Sequence, residues 1–336
     1  MELYCGIDLH SNNHVVVVIN EEDKKLESKR IDNNLETTLK LLSPYKNKIK
    51  SVAIESTFNW YWLVDGLMEN GYDVQLVNTA AVKQYEGLKF IGDHEDGFHL
   101  AHLMRLGILP TGHIYPPEIR CVRDLLRRRR QLVRHSSSHL VSIQNQIWRS
   151  LGARIGCDKI RRADFVLPFE EHGFLYHSAQ SNLTVLRTLS QQIDSIEKRV
   201  LDAVSLKDEY LFLTSIKGVG PILGLTIMLE TGDISRFKGA GNYASYCRCV
   251  KSIRVSNGKK KGKGNRKSGN KYLSWAFSEA AHYLIRFEPQ VKRFYERKKK
   301  KRNGIVAMRA VAHKISRAVF HMLTNRQVFD IDRAFN

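Results

Sequence analysis

The 336-residue chain carries 54 Lys and Arg residues against 34 Asp and Glu residues, which gives a formal net charge of +20 at pH 7. Its 43% hydrophobic and 9% aromatic content exclude a largely disordered chain and leave enough apolar residues for two or three domains. The charge favours a polyanion as partner over an acidic membrane surface, because no run approaches the roughly 18 apolar residues of a transmembrane helix.

The cysteines and the first residues favour a cytoplasmic protein. The chain has five cysteines, an odd number, and no pair has the CxxC spacing, so neither a disulfide framework nor a zinc ribbon is predicted. The first ten residues, MELYCGIDLH, have an acid at position 2 and lack the basic and then apolar segments of a secretory signal.

Residues 1–110 are predicted to form an α/β domain. β-Branched runs indicate strands, and apolar residues at 3–4 spacing indicate helices. In chain order the elements are three strands (LYCGIDLH, NHVVVVINE, KKLESKRID), a helix (NLETTLKLLSPY), a strand (IKSVAIEST), a helix (FNWYWLVDGLMENGY), a strand (DVQLVNT) and a helix from Asp93. This order is typical of a ribonuclease-H-like, or RuvC-like, domain.

The rest of the chain is predicted to be mainly helical. Residues 111–208 contain two long helices with apolar residues at 3–4 spacing, which predict either a coiled-coil arm or an ordinary helical bundle. Residues 209–336 open near GVGP, where two glycines bracket a turn and Pro221 suits the first turn of the next helix. This pattern predicts a helix-hairpin-helix motif, whose backbone N–H groups can hold a phosphate.

Four carboxylates are candidates for a metal site. Asp8 and Glu55 end two predicted strands, and Asp93 and Asp96 share one face at the start of a predicted helix. In a ribonuclease-H-like sheet these positions converge, and such a set of carboxylate oxygens favours Mg²⁺ or Mn²⁺ over Zn²⁺. The alternatives are a helix N-cap for the DxxD pair and a turn aspartate for Asp8.

At these residues the chain resembles the DEDD transposases of bacterial insertion sequences, a family of bridge-RNA-guided recombinases related to the pilin-gene DNA invertases. In that family a GID segment, an apolar strand and a DxxD helix supply four acids, which correspond here to Asp8, Glu55, Asp93 and Asp96. Further family motifs follow in the same order: GVGP, GDISRF, SNG, SGNKYL and SEAA. The resemblance extends over nearly the whole chain.

The resemblance implies a transposase that cuts and rejoins the DNA of an insertion sequence through a phosphoserine intermediate. It assigns Ser256 as nucleophile, with Ser252 and Ser268 as nearby alternatives, because Ser256 keeps the S-x-G pattern and the distance to GN. It also implies Mg²⁺ or Mn²⁺ on the four acids, donor and target DNA as substrates, and a structured bridge RNA as guide. A homo-oligomer, a dimer or a tetramer, would complete the site, and the protein would be associated with the nucleoid.

Three departures from the family pattern concern the site. The chain reads YCRCVKSIR where the family often has Pro and Gly-Leu, and Ser256 is followed by Asn257, Gly258 and Lys259 rather than closely by two glycines. Gly97 follows the last acid where the family has Ala, and glycine inside a helix costs roughly 1 kcal/mol relative to alanine.

The stretch 254–273, RVSNGKKKGKGNRKSGNKYL, is interpreted as a flexible loop that binds phosphates. From Ile234 to Ser278 the sequence has twelve Lys or Arg residues and no acid, so phosphate contacts would relieve its self-repulsion; a solvated basic loop is the alternative. The predicted nucleic-acid-binding residues are Arg127, Arg128, Arg129, Arg130, Lys217, Gly218, Gly220, Lys251, Arg254, Lys259, Lys260, Lys261, Lys263, Arg266, Lys267 and Lys271.

Other functions agree with part of the sequence. A metal-dependent nuclease that resolves Holliday junctions would need the same acids and no covalent serine. A site-specific DNA invertase would act without an RNA guide. A nucleic-acid-binding protein without catalysis would not need all four acids, so their presence speaks against that function.

Overall fold

Two units with different architectures make up the protein. The computed structural model describes residues 1–82, 92–170, 173–204, 208–250, 253–263 and 268–335. Met1–Pro117 forms an α/β unit, and Glu118–Asn336 forms a mainly helical unit. The regions predicted at 111–208 and 209–336 both fall almost wholly in the second unit, and their separation into two domains stays a prediction.

The first unit is built on a mixed five-stranded sheet. Its strands are β1 (Leu3–Leu9), β2 (Asn13–Ile19), β3 (Lys25–Asp32), β4 (Ile49–Glu55) and β5 (Val74–Val77), in the spatial order β3-β2-β1-β4-β5. The first three strands pair antiparallel, and β1, β4 and β5 pair parallel. The predicted α/β character, with three strands followed by alternating helices and strands, is confirmed.

Helices cover both faces of this sheet. They are α1 (Leu35–Leu42), α2 (Tyr61–Glu69), α3 (Thr79–Val82) and α4 (Asp93–Arg105), with a 3-10 turn at Ser43–Tyr45. Ile7 packs in one apolar cluster with residues of α2, and Tyr4 and Ala53 pack in another with residues of α4. Successive side chains of a strand point to opposite faces, so Asp8 and Glu55 share the face that α4 covers.

Helix α4 lies very close to β1. A Cβ on Gly6 would stand 2.0 Å from the carbonyl oxygen of Gly97 and 2.8 Å from the amide nitrogen of Ala101. A Cβ on Gly97 would stand 3.0 Å from Val17 Cγ2. Gly97 therefore has a packing role that offsets its low helix propensity, because the two glycines let α4 carry Asp96 close to β1.

Replacing Gly6 with Ala is expected to destabilise the protein by about 2–3 kcal/mol, because the backbone of α4 would have to move away from the new methyl group. Urea unfolding curves measure the change. The matched control is Gly112→Ala in the same unit, whose Cβ would meet Leu76 O at 3.5 Å, an ordinary contact. Curves that coincide for the Gly6 and Gly112 variants would contradict the close approach of α4 to β1.

Long helices dominate the first part of the second unit. They are α5 (Pro117–Leu151) and α7 (Phe174–Val204), with the short helix α6 (Cys157–Arg161) between them. Ile143 of α5 and Leu183 of α7 belong to one apolar cluster with Ile160 of α6. The two predicted long helices are confirmed, whereas a coiled-coil geometry stays a prediction.

The remainder of the second unit forms a separate apolar core. Its helices are α8 (Asp208–Thr214), α9 (Pro221–Thr231), α10 (Ala240–Tyr246), α11 (Lys271–Phe287), α12 (Pro289–Lys301), α13 (Gly304–Asn325) and α14 (Ile331–Phe335), with a 3-10 turn at Ile234–Arg236. Tyr243, Phe277 and Ile315 are fully buried in this core. Among the residues that the structure describes, no helix combines the length and the apolar character needed to cross a membrane.

The stretch interpreted as a flexible loop contains a β-hairpin. Strand β6 (Ile253–Ser256) pairs antiparallel with β7 (Lys259–Lys263), with Ser256 opposite Lys259. Asn257 and Gly258 form the two-residue turn with φ values of 50° and 67°, as the primed turns favoured in hairpins require. The loop interpretation is therefore wrong for residues 254–263, while residues 264–267 lie outside the described part of the chain.

Candidate active site

The four predicted acids lie in the first unit, where β1 and β4 end. Asp8 is the second-last residue of β1 and Glu55 is the last residue of β4, and the two strands run parallel with Ile7 opposite Ile54. Asp93 and Asp96 occupy the first turn of α4. The sheet register and the start of one helix thus bring both pairs of acids to one end of the sheet.

Asp8 and Glu55 are joined by a side-chain hydrogen bond. Only 2% of Asp8 is exposed, and its Oδ2 has no hydrogen-bond partner among the described residues. Burial, the hydrogen bond and the charge of Glu55 raise the pKa of Asp8 to about 7, and the charge of Asp96 acts in the same direction. Asp8 therefore keeps its proton to a higher pH than an ordinary aspartate.

Asp93 joins this pair through His10. The Nε2 atom of His10 lies 3.3 Å from Asp8 Oδ2 and 3.3 Å from Asp93 Oδ2. Arg30 of β3 donates a hydrogen bond to the Asp93 carboxylate, and this bond holds the pKa of Asp93 below its usual value. Asp93 is therefore ionised, while its neighbour Asp8 is held protonated at acidic pH.

Two residues of this site, His10 and Arg30, were missed by sequence reasoning. His10 lies two positions after Asp8, just beyond the end of β1, and this proximity was the available signal. Arg30 gave no local signal, because it reaches Asp93 from β3 over 63 positions of sequence. Its position depends on the antiparallel pairing of β2 with β3, which places Arg30 opposite Val15.

The arrangement fits a divalent cation. Asp8 presents a buried carboxylate oxygen with no hydrogen-bond partner among the described residues, and the ligand atoms of Asp8, His10 and Asp93 lie within 4.8 Å of one another. Clustered acids repel one another unless a cation compensates them. Carboxylate oxygens suit hard ions such as Mg²⁺ and Mn²⁺.

The raised pKa of Asp8 predicts that the metal-free protein loses stability as the pH rises from 4 to 7. An aspartate has an ordinary pKa of 3.8, so between that value and about 7 the folded state binds a proton that the unfolded state has lost. The loss should reach roughly 3 kcal/mol and should be absent in Asp8→Asn. Thermal unfolding at several pH values with a chelator measures it, and parallel pH profiles for the two proteins would contradict the shift.

Ser256 ends the first strand of the hairpin in the second unit, and residues 269–273, which follow the hairpin in the chain, are firmly anchored. Asn270 caps α11, its backbone N–H donates to Tyr246 O at 2.6 Å, and its Nδ2 donates to the buried Glu230 at 2.7 Å. Gly269, with φ 83°, leaves no room for a Cβ, which would stand 2.5 Å from the same Tyr246 oxygen. This anchoring gives a physical reason for the SGN motif. Of the alternative serines, Ser268 is exposed and Ser252 lies outside the described residues.

Most arginines of the predicted run Arg127–Arg130 make contacts with side chains of the second unit. Arg127 makes two hydrogen bonds to Glu230, at 2.6 and 2.7 Å, and Arg129 pairs with Glu197. Arg130 lies over the Trp275 ring at 4.6 Å, whereas Arg128 is exposed beside Gln131. These internal contacts give Arg127 and Arg129 a structural role that the sequence did not predict, and their contact with nucleic acid stays a prediction.

The other predicted nucleic-acid-binding residues are spread over the second unit. Lys217 pairs with Glu288 at 2.6 Å, beside the turn of Gly218 and Gly220 that leads into α9. Lys259, Lys261 and Lys271 are exposed. Arg254, Lys260 and Lys263 lie in the hairpin strands, and Lys251, Arg266 and Lys267 lie outside the described residues.

Comparison with known protein families matches both parts of the chain. Residues 5–148 match a DEDD-type transposase model of IS110, and residues 210–296 match the model "Transposase IS116/IS110/IS902 family". Together these ranges span more than half of the 336 residues. Over both ranges the chain is similar to transposases of the IS110 kind. All four acids lie in the first matched range, and the Ser256 hairpin lies in the second.

One curated relative matches about half of this chain. It is a candidate mini-circle transposase for IS117 from Streptomyces coelicolor, 30% identical over 176 residues. The match covers 50% of this chain and 41% of that protein, so this chain aligns with less than half of the relative's length.

Proposed function

We propose that the protein is the transposase of an insertion sequence, an enzyme that cuts and rejoins DNA. The observation that carries the proposal is the meeting of Asp8, Glu55 and Asp93 at one end of the sheet, with Asp96 near enough to raise the pKa of Asp8. The strand order supports a RuvC-like catalytic domain over residues 1–110. A buried acid such as Asp8 with further acids around it is costly to maintain, which favours catalysis over nucleic-acid binding alone.

The proposed chemistry is phosphoryl transfer through Ser256. Mg²⁺ or Mn²⁺ bound to the carboxylates would stabilise negative charge on the phosphate. Ser256 Oγ would bond to phosphorus while the bridging P–O bond of the DNA strand breaks; the serine loses its proton, and the released deoxyribose oxygen gains one. In the rejoining step, a DNA hydroxyl attacks the phosphoserine and releases Ser256.

The proposed partners are nucleic acids and further copies of the chain. Donor and target DNA would be selected by a bridge RNA through base pairing. The net charge of +20 and the exposed side chains of Arg128, Lys259 and Lys261 support contacts with phosphates. A homodimer or tetramer would complete the site. Such an enzyme would act on nucleoid DNA in the bacterial cytoplasm.

A covalent protein–DNA adduct tests this proposal. Purified protein incubated with its guide RNA and a labelled element end is expected to form an adduct that survives denaturing electrophoresis. Ser256→Ala should abolish the adduct and keep DNA binding, whereas the matched control Ser268→Ala should form it normally. An adduct of normal yield in Ser256→Ala would contradict the assignment of the nucleophile.

A metal-dependent junction-resolving nuclease is the second candidate function. It is favoured because all four carboxylates lie in the first unit. A metal site built from them needs no serine from the second unit. This function predicts cleavage of four-way junctions by both the wild type and Ser256→Ala, with no adduct in either protein.

A further inference from the structure

His10 is held in place by its backbone and directs its ring at the acids. Its carbonyl oxygen accepts hydrogen bonds from Asn33 Nδ2 at 3.1 Å and Asn59 Nδ2 at 3.0 Å, and its amide donates to Asn13 O at 2.9 Å. Its Nε2 atom is buried and has no hydrogen-bond partner among the described residues. These three hydrogen bonds hold the main chain of His10 beside the acids, and its Nε2 faces the carboxylate oxygens of Asp8 and Asp93 at 3.3 Å.

We propose that His10 is a nitrogen ligand of the divalent ion held by Asp8 and Asp93, and that it makes this site prefer Mn²⁺ to Mg²⁺. The inference rests on the metal site of the proposed function and adds to it a ligand outside the four acids. It concerns the identity of the bound ion, which the carboxylates alone leave open between the two metals.

The geometry supports coordination by Nε2. Adjacent ligands of an octahedral ion with bonds of about 2.1 Å lie roughly 3 Å apart. The distances from His10 Nε2 to Asp8 Oδ2 and to Asp93 Oδ2 are both 3.3 Å, close to that value. The two asparagine side chains hold the backbone carbonyl of His10 and so fix the position of its main chain beside the acids.

The chemistry of the donor set determines the preference. Mg²⁺ favours oxygen ligands and loses its water molecules reluctantly, whereas imidazole nitrogen suits transition-metal ions. A site with carboxylates and one imidazole therefore favours the binding of Mn²⁺ over Mg²⁺ more strongly than a site with carboxylates alone does. The alternative is that His10 contacts Asp8 and Asp93 without binding the ion, and an experiment must separate the two.

Pulsed electron paramagnetic resonance on the full-length protein with bound Mn²⁺ separates them, because it detects a directly coordinated nitrogen nucleus. The wild type is expected to show ¹⁴N coupling, and His10→Gln should lose it. Mn²⁺ affinity, measured by titration calorimetry, should fall at least about tenfold in His10→Gln, while Mg²⁺ affinity changes less than about threefold. His94→Gln is the matched control, since exposed His94 accompanies Asp93 on α4 and contacts Ser28 instead.

The possible results separate the role of His10 as a ligand from the existence of the metal site itself. Mn²⁺ binding that is lost in Asp8→Asn, with no ¹⁴N coupling in the wild type, would overturn the role of His10 and leave the carboxylate site intact. Absence of any Mn²⁺ or Mg²⁺ binding that depends on Asp8 would overturn the metal site itself. Nitrogen coupling that persists in His10→Gln would assign the ligand to another residue.

Discussion

Replacing Asp8 with Asn is expected to abolish DNA strand cleavage, with a loss of about a thousandfold or more. Several kcal/mol of charge stabilisation depend on a metal-binding carboxylate, and each 1.36 kcal/mol of barrier is a factor of ten in rate. The fold should survive, because the Asn side chain has nearly the shape of Asp8 and its amide can donate a hydrogen bond to Glu55. Nucleic-acid binding should also survive, because the predicted contacts lie in the second unit.

Cleavage of a labelled element end and gel-shift binding of the same DNA measure the two effects separately. Asp32→Asn is the matched control, because Asp32 is an exposed carboxylate at the end of β3 in the same unit. It should cleave at the wild-type rate. Normal cleavage by Asp8→Asn would show that the acid cluster is not the catalytic centre of this protein.

The position of the acids could be predicted from the sequence because it follows from local rules. An apolar run that ends in Asp8 and another that ends in Glu55 indicate buried neighbouring strands, and strand parity then decides the face to which each acid points. The DxxD spacing likewise places two acids on one turn of a helix. Each of these inferences needs only the side-chain periodicity of a strand or a helix and the assumption that the two strands belong to one sheet.

The contacts around the acids could not be predicted, because they depend on tertiary packing. The approach of α4 to β1 requires two glycines, Gly6 and Gly97, that meet over 91 positions of sequence. From the sequence alone, Gly97 was a residue of low helix propensity. Its role becomes visible only when the backbone of the neighbouring strand is placed beside it, as is also true of Arg30 beside Asp93.

The hairpin at Ser256 is a different kind of failure, since a local signal was present. Asn257-Gly258 is the dipeptide most typical of a two-residue hairpin turn. The flanking lysines and glycines are depleted in strands, and they concealed the signal because they favour a loop by composition. The turn residues determine the backbone here, and they place Ser256 beside a tight turn rather than within a loose one.

Replacing Glu230 with Ala is expected to destabilise the second unit by about 3 kcal/mol. Glu230 is 2% exposed and accepts two hydrogen bonds from Arg127 and one from Asn270. Its removal leaves a largely enclosed guanidinium and a buried amide without their partner, which costs more than the loss of a surface ion pair. The control Arg128→Ala, at an exposed position in the same arginine run, should change stability by less than about 0.5 kcal/mol.

A double-mutant cycle with Arg127→Ala isolates the interaction of the pair. The double variant should be more stable than the sum of the single losses predicts, with a coupling of about 1–3 kcal/mol, because it removes both charges together. Additive losses would show that Glu230 acts through Asn270 alone. Asn270 also caps α11 and donates its backbone N–H to Tyr246 O. The loss of Glu230 should therefore also loosen residues 269–273, and amide hydrogen exchange at these residues measures that change.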